Sequence, residues 1–258
     1  METQSSTYNV SPEKKTFLAK GSSQPLTYRP GFDLDFVERL LGRRQKKELP
    51  RTSRIRLAIQ QNRLRELIRP RVIWKELSIA RTDKTGVTLT DGTVFQSRKM
   101  AQALQGATRV VGFIATVGKQ IDREVASLMI GGELAHGYVA DSLGSGAVEN
   151  LADRFHTDIA KAVAMQGQSV GLRFSPGYCD WPVADQQKLF SLLDNEAVGV
   201  KLSDTSLMQP RKSISAVFGI FDKKNASPEN SKHNPCRRCG KKDCIARRVE
   251  AVPPVTRK

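Results

Sequence analysis

Aromatic side chains make up only 6% of the 258 residues, histidine occurs 3 times and cysteine 4 times. Carboxylates are also scarce: 26 Asp and Glu stand against 42 Lys and Arg, a formal net charge of +16. Each shortage excludes something. No apolar run approaches the ~20 residues that a transmembrane helix needs, and no membrane partner is expected. The opening METQSSTYNVSPEKK lacks the apolar core of a signal peptide, so a cytoplasmic location is expected. Three of the four cysteines crowd into CRRCGKKDC, which argues against a secreted disulfide scaffold and for a reducing compartment and a metal. The missing acid leaves a positive field that suits an acidic partner: nucleic acid, an acidic protein or, ranked below these, an anionic membrane.

What is present is a chain long enough to bury one real core, with 39% hydrophobic residues. Residues 1–28 are polar with scattered Ser, Gly and Pro, and are expected to be loose. Residues 29–222 carry the periodic segments of a single domain, and residues 223–258 read as a linker followed by a basic tail. Asp33 to Leu41 has the apolar spacing of a short helix, with Phe36, Val37, Leu40 and Leu41 on one face. A second helix is expected over 52–68, capped by Thr52 or Ser53 and stopped by Pro70. It carries Arg54, Arg56, Arg63, Arg65 and Arg69 on a strongly basic face.

In GVTLTDGTVF the apolar residues alternate around Asp91-Gly92, a pair that favours a tight hairpin turn. RVVGFIATVG is a nearly continuous apolar run and reads as a central strand buried on both faces, ended by Gly118. A helix is expected over Ile121–Ile130 and a long one over His136–Ala164. The latter contains Gly144, Ser145, Gly146 and Ala147, small residues that weaken a helix but let something approach its backbone closely. A short helix over Gln186–Asp194 and one or two further strands follow. Helices mixed with hairpins make the fold class α+β, with a mainly antiparallel sheet.

RFSPGYCDWP, residues 173–182, cannot be a helix, because Pro176 and Gly177 sit in its middle. It reads as a rigid turn that holds Arg173 and Tyr178 in a fixed relation. Taken with KLSDTSLMQPRKSIS further on, and with DSLGSGAVENLADRFH before it, this stretch resembles the activation domain of cobalamin-dependent methionine synthase, particularly its stand-alone members. That family has an R-P-x-P-G-Y turn, a short helix with Leu-Leu, and L-T-E-S-x-x-M-x-P-x-x-S-V-S. Here Arg173, Pro176, Gly177 and Tyr178, then Leu192 and Leu193, then Leu202 through Ser215 stand in those places. The resemblance spans roughly residues 30–222.

The resemblance implies an S-adenosylmethionine site in which Arg173, Ser175 and Tyr178 contact the ligand and Gly177 admits it to the backbone. The chemistry agrees: a guanidinium takes a carboxylate bidentately, and a tyrosine ring can face adenine or a sulfonium. Glu149 aligns with a family glutamate and would neutralise the ligand's positive groups; a surface carboxylate on a helix is the alternative. No Asp-x-His-x-x-Gly occurs, the motif that gives a histidine to the cobalt of a bound corrinoid. The implied role is therefore a component of methyl transfer rather than a whole enzyme. It would support reductive methylation of a cob(II)alamin or other corrinoid held by a separate corrinoid-binding protein or truncated methionine synthase. An acidic electron donor such as flavodoxin or ferredoxin would complete the system.

In the tail, Cys236, Cys239 and Cys244 follow Cys-x2-Cys-x4-Cys, with His233 just before. A structural zinc completed by His233, an iron–sulfur cluster with an open iron, and unligated thiols all fit this spacing. Cys179 could supply a fourth ligand, though it reads better as a small packed residue. His136 and His156, alone on a helix, read as structural. A nucleic-acid-binding protein with a small zinc element is the competing function; it explains the charge and the tail but not the match over residues 173–215.

Overall fold

The computed structural model describes residues 21–22, 24–43 and 48–222; Cys236, Cys239, Cys244 and His233 lie outside them. At its centre is β5 (Arg109–Thr116), flanked by β2 (Arg71–Thr82) and β9 (Ser213–Asp222). Both pairings are antiparallel and eight residues deep, from Arg71 opposite Thr116 to Ser78 opposite Arg109, and from Arg109 opposite Ile220 to Thr116 opposite Ser213. Outward from β2 come β3 (Val87–Leu89) and β4 (Val94–Phe95), joined by the expected Asp91-Gly92 hairpin, where Gly92 takes a φ of +89° and Asp91 Oδ1 accepts the Thr93 N–H. Beyond β9 lies β6 (Gln168–Val170), β1 (Leu26–Thr27) pairs with the start of β2, and β7 (Lys201–Leu202) and β8 (Met208–Gln209) form a separate two-stranded sheet. All pairings in this sheet are antiparallel, as an α+β reading expects.

Both faces of the sheet are covered, so the strands alternate between two cores. Val111, Phe113 and Ala115 of β5, with Ala216, Phe218 and Ile220 of β9, face α5 (Leu134–Ala164). Packed around α5 on that side are α1 (Leu34–Leu40), α2 (Arg51–Arg65) and α4 (Gln120–Ile130). Phe155 of α5 anchors this core, 5.0 Å from Phe113 and 6.2 Å from Phe218 between ring centroids. On the opposite face, Val110, Ile114, Val217 and Phe221 pack with α3 (Arg98–Ala103), α6 (Gln186–Ser191) and Trp181. A strand buried on both faces loses the polar alternation of a half-exposed one. That is why β5 reads as an unbroken apolar run.

Several boundaries differ from the sequence reading. α2 begins at Arg51 behind Pro50, with no side-chain cap, so neither Thr52 nor Ser53 caps it. Pro50 is the N-cap itself, with ψ at 146°, and its carbonyl accepts the Arg54 N–H at 3.0 Å to open the helix. The helix ends at Arg65, well before Pro70. α6 stops at Ser191 rather than Asp194. The strand β2, RVIWKELSIART, carries no simple pattern because Val72, Ile73 and Trp74 are buried in succession and Lys75 and Glu76 interrupt them.

The close approach that the small residues of α5 permit is made by the chain itself. A Cβ on Gly144 would stand 2.7 Å from Ile121 Cγ2 and 3.0 Å from Lys212 Cγ; one on Gly146 would stand 2.3 Å from Val37 Cγ2. At Gly146 the contact extends to the backbone, where the Asp33 N–H donates to the Gly146 carbonyl at 3.0 Å. Asp33 in turn caps α1, accepting the Phe36 N–H at 3.0 Å.

Candidate functional site

Along α5, Asp141, Ser145, Glu149 and Asp153 recur every four residues and form one half-buried polar stripe. The partners of this stripe come from the chain on either side of β9. After β6, residues 171–174 continue beside β9: the Gly171 N–H donates to Gly219 O, and Phe174 and Val217 exchange both backbone hydrogen bonds at 2.8 Å. Phe174 faces the second core. Arg173, one position earlier on an extended chain, therefore points to the α5 face. There its guanidinium donates through Nη2 to Glu149 Oε2, and its Nη1 lies 3.2 Å from Asp153 Oδ1. The Arg173 side chain is only 11% exposed, so the two carboxylates offset a charge taken largely out of water.

At the other end of the stripe Lys212 is buried, with Nζ 2.7 Å from Asp141 Oδ1 and donating to Ser145 Oγ at 3.0 Å. Two cations on one helix face thus each hold polar groups one turn apart.

Beyond Arg173 the chain turns sharply. Pro176 is buried, Gly177 takes a φ of +86°, and the Gly177 N–H donates to Trp181 O while the Trp181 N–H donates to Tyr178 O. The Tyr178 N–H donates to Ser175 O at 3.2 Å. This closed loop leaves Tyr178 55% exposed on the surface beside Arg173's segment.

The far end of the turn is anchored on the second core. Trp181 is 2% exposed, packs edge-on to Phe95 at 5.1 Å and donates from Nε1 to Asp185 Oδ2 at 3.0 Å. Asp180 accepts from Ser97 Oγ at 2.5 Å and from the Lys99 N–H, joining the turn to the start of α3. Partial burial draws the Asp180 carboxyl upward, but these hydrogen bonds outweigh it and hold its pKa below the ordinary carboxylate value.

The structure thus brings Arg173 and Glu149 into direct contact, although 24 positions separate them in the chain. Ser175, Gly177 and Tyr178 follow in the turn next to that pair. Sequence reasoning missed Asp153 and Lys212; the recurrence at four-residue spacing of Asp141, Ser145, Glu149 and Asp153 is the signal that could have found the stripe. Cys179 is not the small packed residue expected: it is exposed in a left-handed conformation, φ +57°. His136 and His156 hold structure, the first against Gln60 Nε2 at 3.1 Å and the second against the Gly171 carbonyl at 2.9 Å and the Phe218 ring. Among the described residues no group of His, Cys, Asp and Glu is arranged to hold a metal ion, and no helix is long and apolar enough to cross a membrane.

Comparison with known proteins bears on this geometry. Residues 100–227 match the family described as "Vitamin B12 dependent methionine synthase, activation domain". That span contains the whole polar stripe of α5, the Arg173 turn and Lys212. Among solved structures, the crystal structure of the MetH reactivation domain bound to AdoHcy superimposes with a TM-score of 0.61 at 15% identity, covering 79% of each chain. No curated protein matches the chain.

Proposed function

The chain belongs, through residues 100–227, to the family of vitamin B12 dependent methionine synthase activation domains, and on that footing we propose that it binds S-adenosylmethionine at the Arg173 turn. In the same reading it supports reductive methylation of a corrinoid carried by a separate protein. The observation that carries the reading is the state of Arg173. Its Nη1 is buried and lacks a hydrogen-bond partner among the described residues, while Nη2 is already committed to Glu149. A buried guanidinium with one donor end unsatisfied is suited to a ligand carboxylate. The solved relative with this fold carries AdoHcy, the demethylated form of the same donor, which supports the ligand class.

Each residue of the site has a part in this reading. Arg173 binds and orients the carboxylate. Glu149, fixed by Arg173 and 22% exposed, faces the ligand's cationic groups. Gly177, with no Cβ, leaves the backbone of the turn open, and Tyr178 supplies a ring face for adenine or sulfonium. The protein's contribution is positioning, since the sulfonium methyl is already activated. With one electron from a low-potential reductant, the partner's cob(II) corrinoid accepts that methyl and the sulfide is left behind. The partner is a corrinoid-binding protein or a truncated methionine synthase, reduced through an acidic donor.

Titration calorimetry with S-adenosylmethionine tests the site. Wild type should bind, and Arg173→Ala should lose on the order of 2–3 kcal/mol, the loss expected for a charge-assisted hydrogen bond in a partly dry site. Absence of heat from wild type at millimolar ligand, or equal affinity in the variant, removes Arg173 from the site.

A further inference from the structure

We propose that an incoming ligand carboxylate displaces Asp153 from Arg173, so that Asp153 sets how tightly the site holds ligands bearing that group; this rests on the Arg173 assignment above. The two carboxylates on the arginine are not equivalent. Glu149 Oε2 accepts a hydrogen bond from Nη2, and its side chain is 22% exposed. Asp153 Oδ1 stands 3.2 Å from Nη1 as an ion pair, its side chain is 45% exposed, and Nη1 still lacks a hydrogen-bond partner among the described residues.

The weaker contact is thus at the more solvent-exposed carboxylate. An ion pair with so exposed a member holds little free energy, because water hydrates the carboxylate almost as well turned outward as in place. Arg173, at 11% exposure, has no such alternative. An oxygen that satisfies Nη1 as a hydrogen-bond acceptor therefore wins over one that only neutralises it.

Helix geometry sets this division. Glu149 and Asp153 are one turn apart on α5 and both reach the same guanidinium, with Asp153 the outer of the two. Displacement frees Asp153 into solvent and leaves Glu149 in place. Its cost falls only on ligands that compete for Nη1. Ligands with the same adenosine and the same positive groups but no carboxylate leave the Arg173–Asp153 pair intact.

The experiment compares S-adenosylmethionine with decarboxylated S-adenosylmethionine, which keeps the ammonium and the sulfonium. Calorimetry is run on full-length wild type, Asp153→Asn, Asp153→Ser and Asp153→Glu. Removing an exposed competitor should tighten S-adenosylmethionine binding about two- to fivefold in the Asn and Ser variants. The decarboxylated ligand should gain nothing, and Asp153→Glu should return the affinity to the wild-type value. Thermal unfolding identifies a variant that has lost its fold, in which case the other replacement decides.

Unchanged or weakened S-adenosylmethionine binding in a folded variant overturns the role of Asp153, as does an equal gain for both ligands. Wild type that binds neither ligand overturns the Arg173 site itself and this inference with it. Wild type that binds while Asp153→Asn fails to tighten overturns only the inference.

Discussion

At the scale of single residues, Gly146 is the most tightly approached of the glycines in α5. An added Cβ there would meet Val37 Cγ2 at 2.3 Å and Asp33 O at 3.0 Å, and Asp33 is both the cap of α1 and the donor to Gly146 O. The valine could shift, but the backbone of a capped helix cannot move without giving up that hydrogen bond. Gly146→Ala should therefore destabilise the domain by about 1–3 kcal/mol through overpacking, despite alanine's better helix propensity. Urea unfolding decides it, and a midpoint at or above that of wild type would mean α1 docks more loosely than described. The run of small residues could be read from the sequence as a place of close approach. Its visitors, α1 from one side and Lys212 with Ile121 from another, could not, because each arrives from a distant part of the chain.

Among elements, the 173–182 turn depends on anchors at its far end. The hydrogen bonds to Asp180 from Ser97 and Lys99 keep its carboxyl below the ordinary value near 4. A depressed native pKa means that the stabilisation is present above the unfolded value and is lost as pH falls through the folded one. Wild type should thus weaken on acidification below about pH 4 by more than Asp180→Asn does. Denaturant midpoints measured from pH 6 down to about pH 2 would expose the difference; parallel curves for the two proteins would rule it out. How legible each element was follows from its surroundings. α5, α4, β5 and the Asp91-Gly92 hairpin carry local signals strong enough to stand alone. β2 and α3 do not, since β2 is buried on both faces over its first residues and α3 is a short helix capped by Ser97. The Arg173–Glu149–Asp153 contact was half visible: the turn and the glutamate carry the resemblance read from the sequence, but the second carboxylate is placed only by packing α5 against the 171–174 segment.

For the whole molecule, the excess of base over acid is the feature that a partner would feel. Arg51, Arg56 and Arg65 of α2 have no ion-pair partner among the described residues, whereas Arg54 and Arg63 are paired with Glu48 and Glu124. If the corrinoid protein docks through such a surface, reductive methylation should slow as ionic strength rises, because screening shortens to about 8 Å at physiological salt and further above it. Following the cob(II) to methylcob(III) absorbance change with S-adenosylmethionine and a low-potential reductant, with and without this protein, measures it. A rate that is independent of this protein would end the activator reading, and a rate independent of salt would remove electrostatics from docking.

The sheet order carries a consequence for how the molecule comes into being. β5 is covered on one edge by β2, its near neighbour in the chain, but on the other by β9, and even the closest partners, Thr116 and Ser213, stand about 100 residues apart. During synthesis, or in the first moments of refolding, the VVGFIAT segment is thus an open apolar edge waiting for the last strand of the sheet. For that interval another copy of the same nascent strand is the competitor that β9 must outrun, so the strand at the centre of the finished sheet is also the one by which the unfinished chain is most exposed to aggregation.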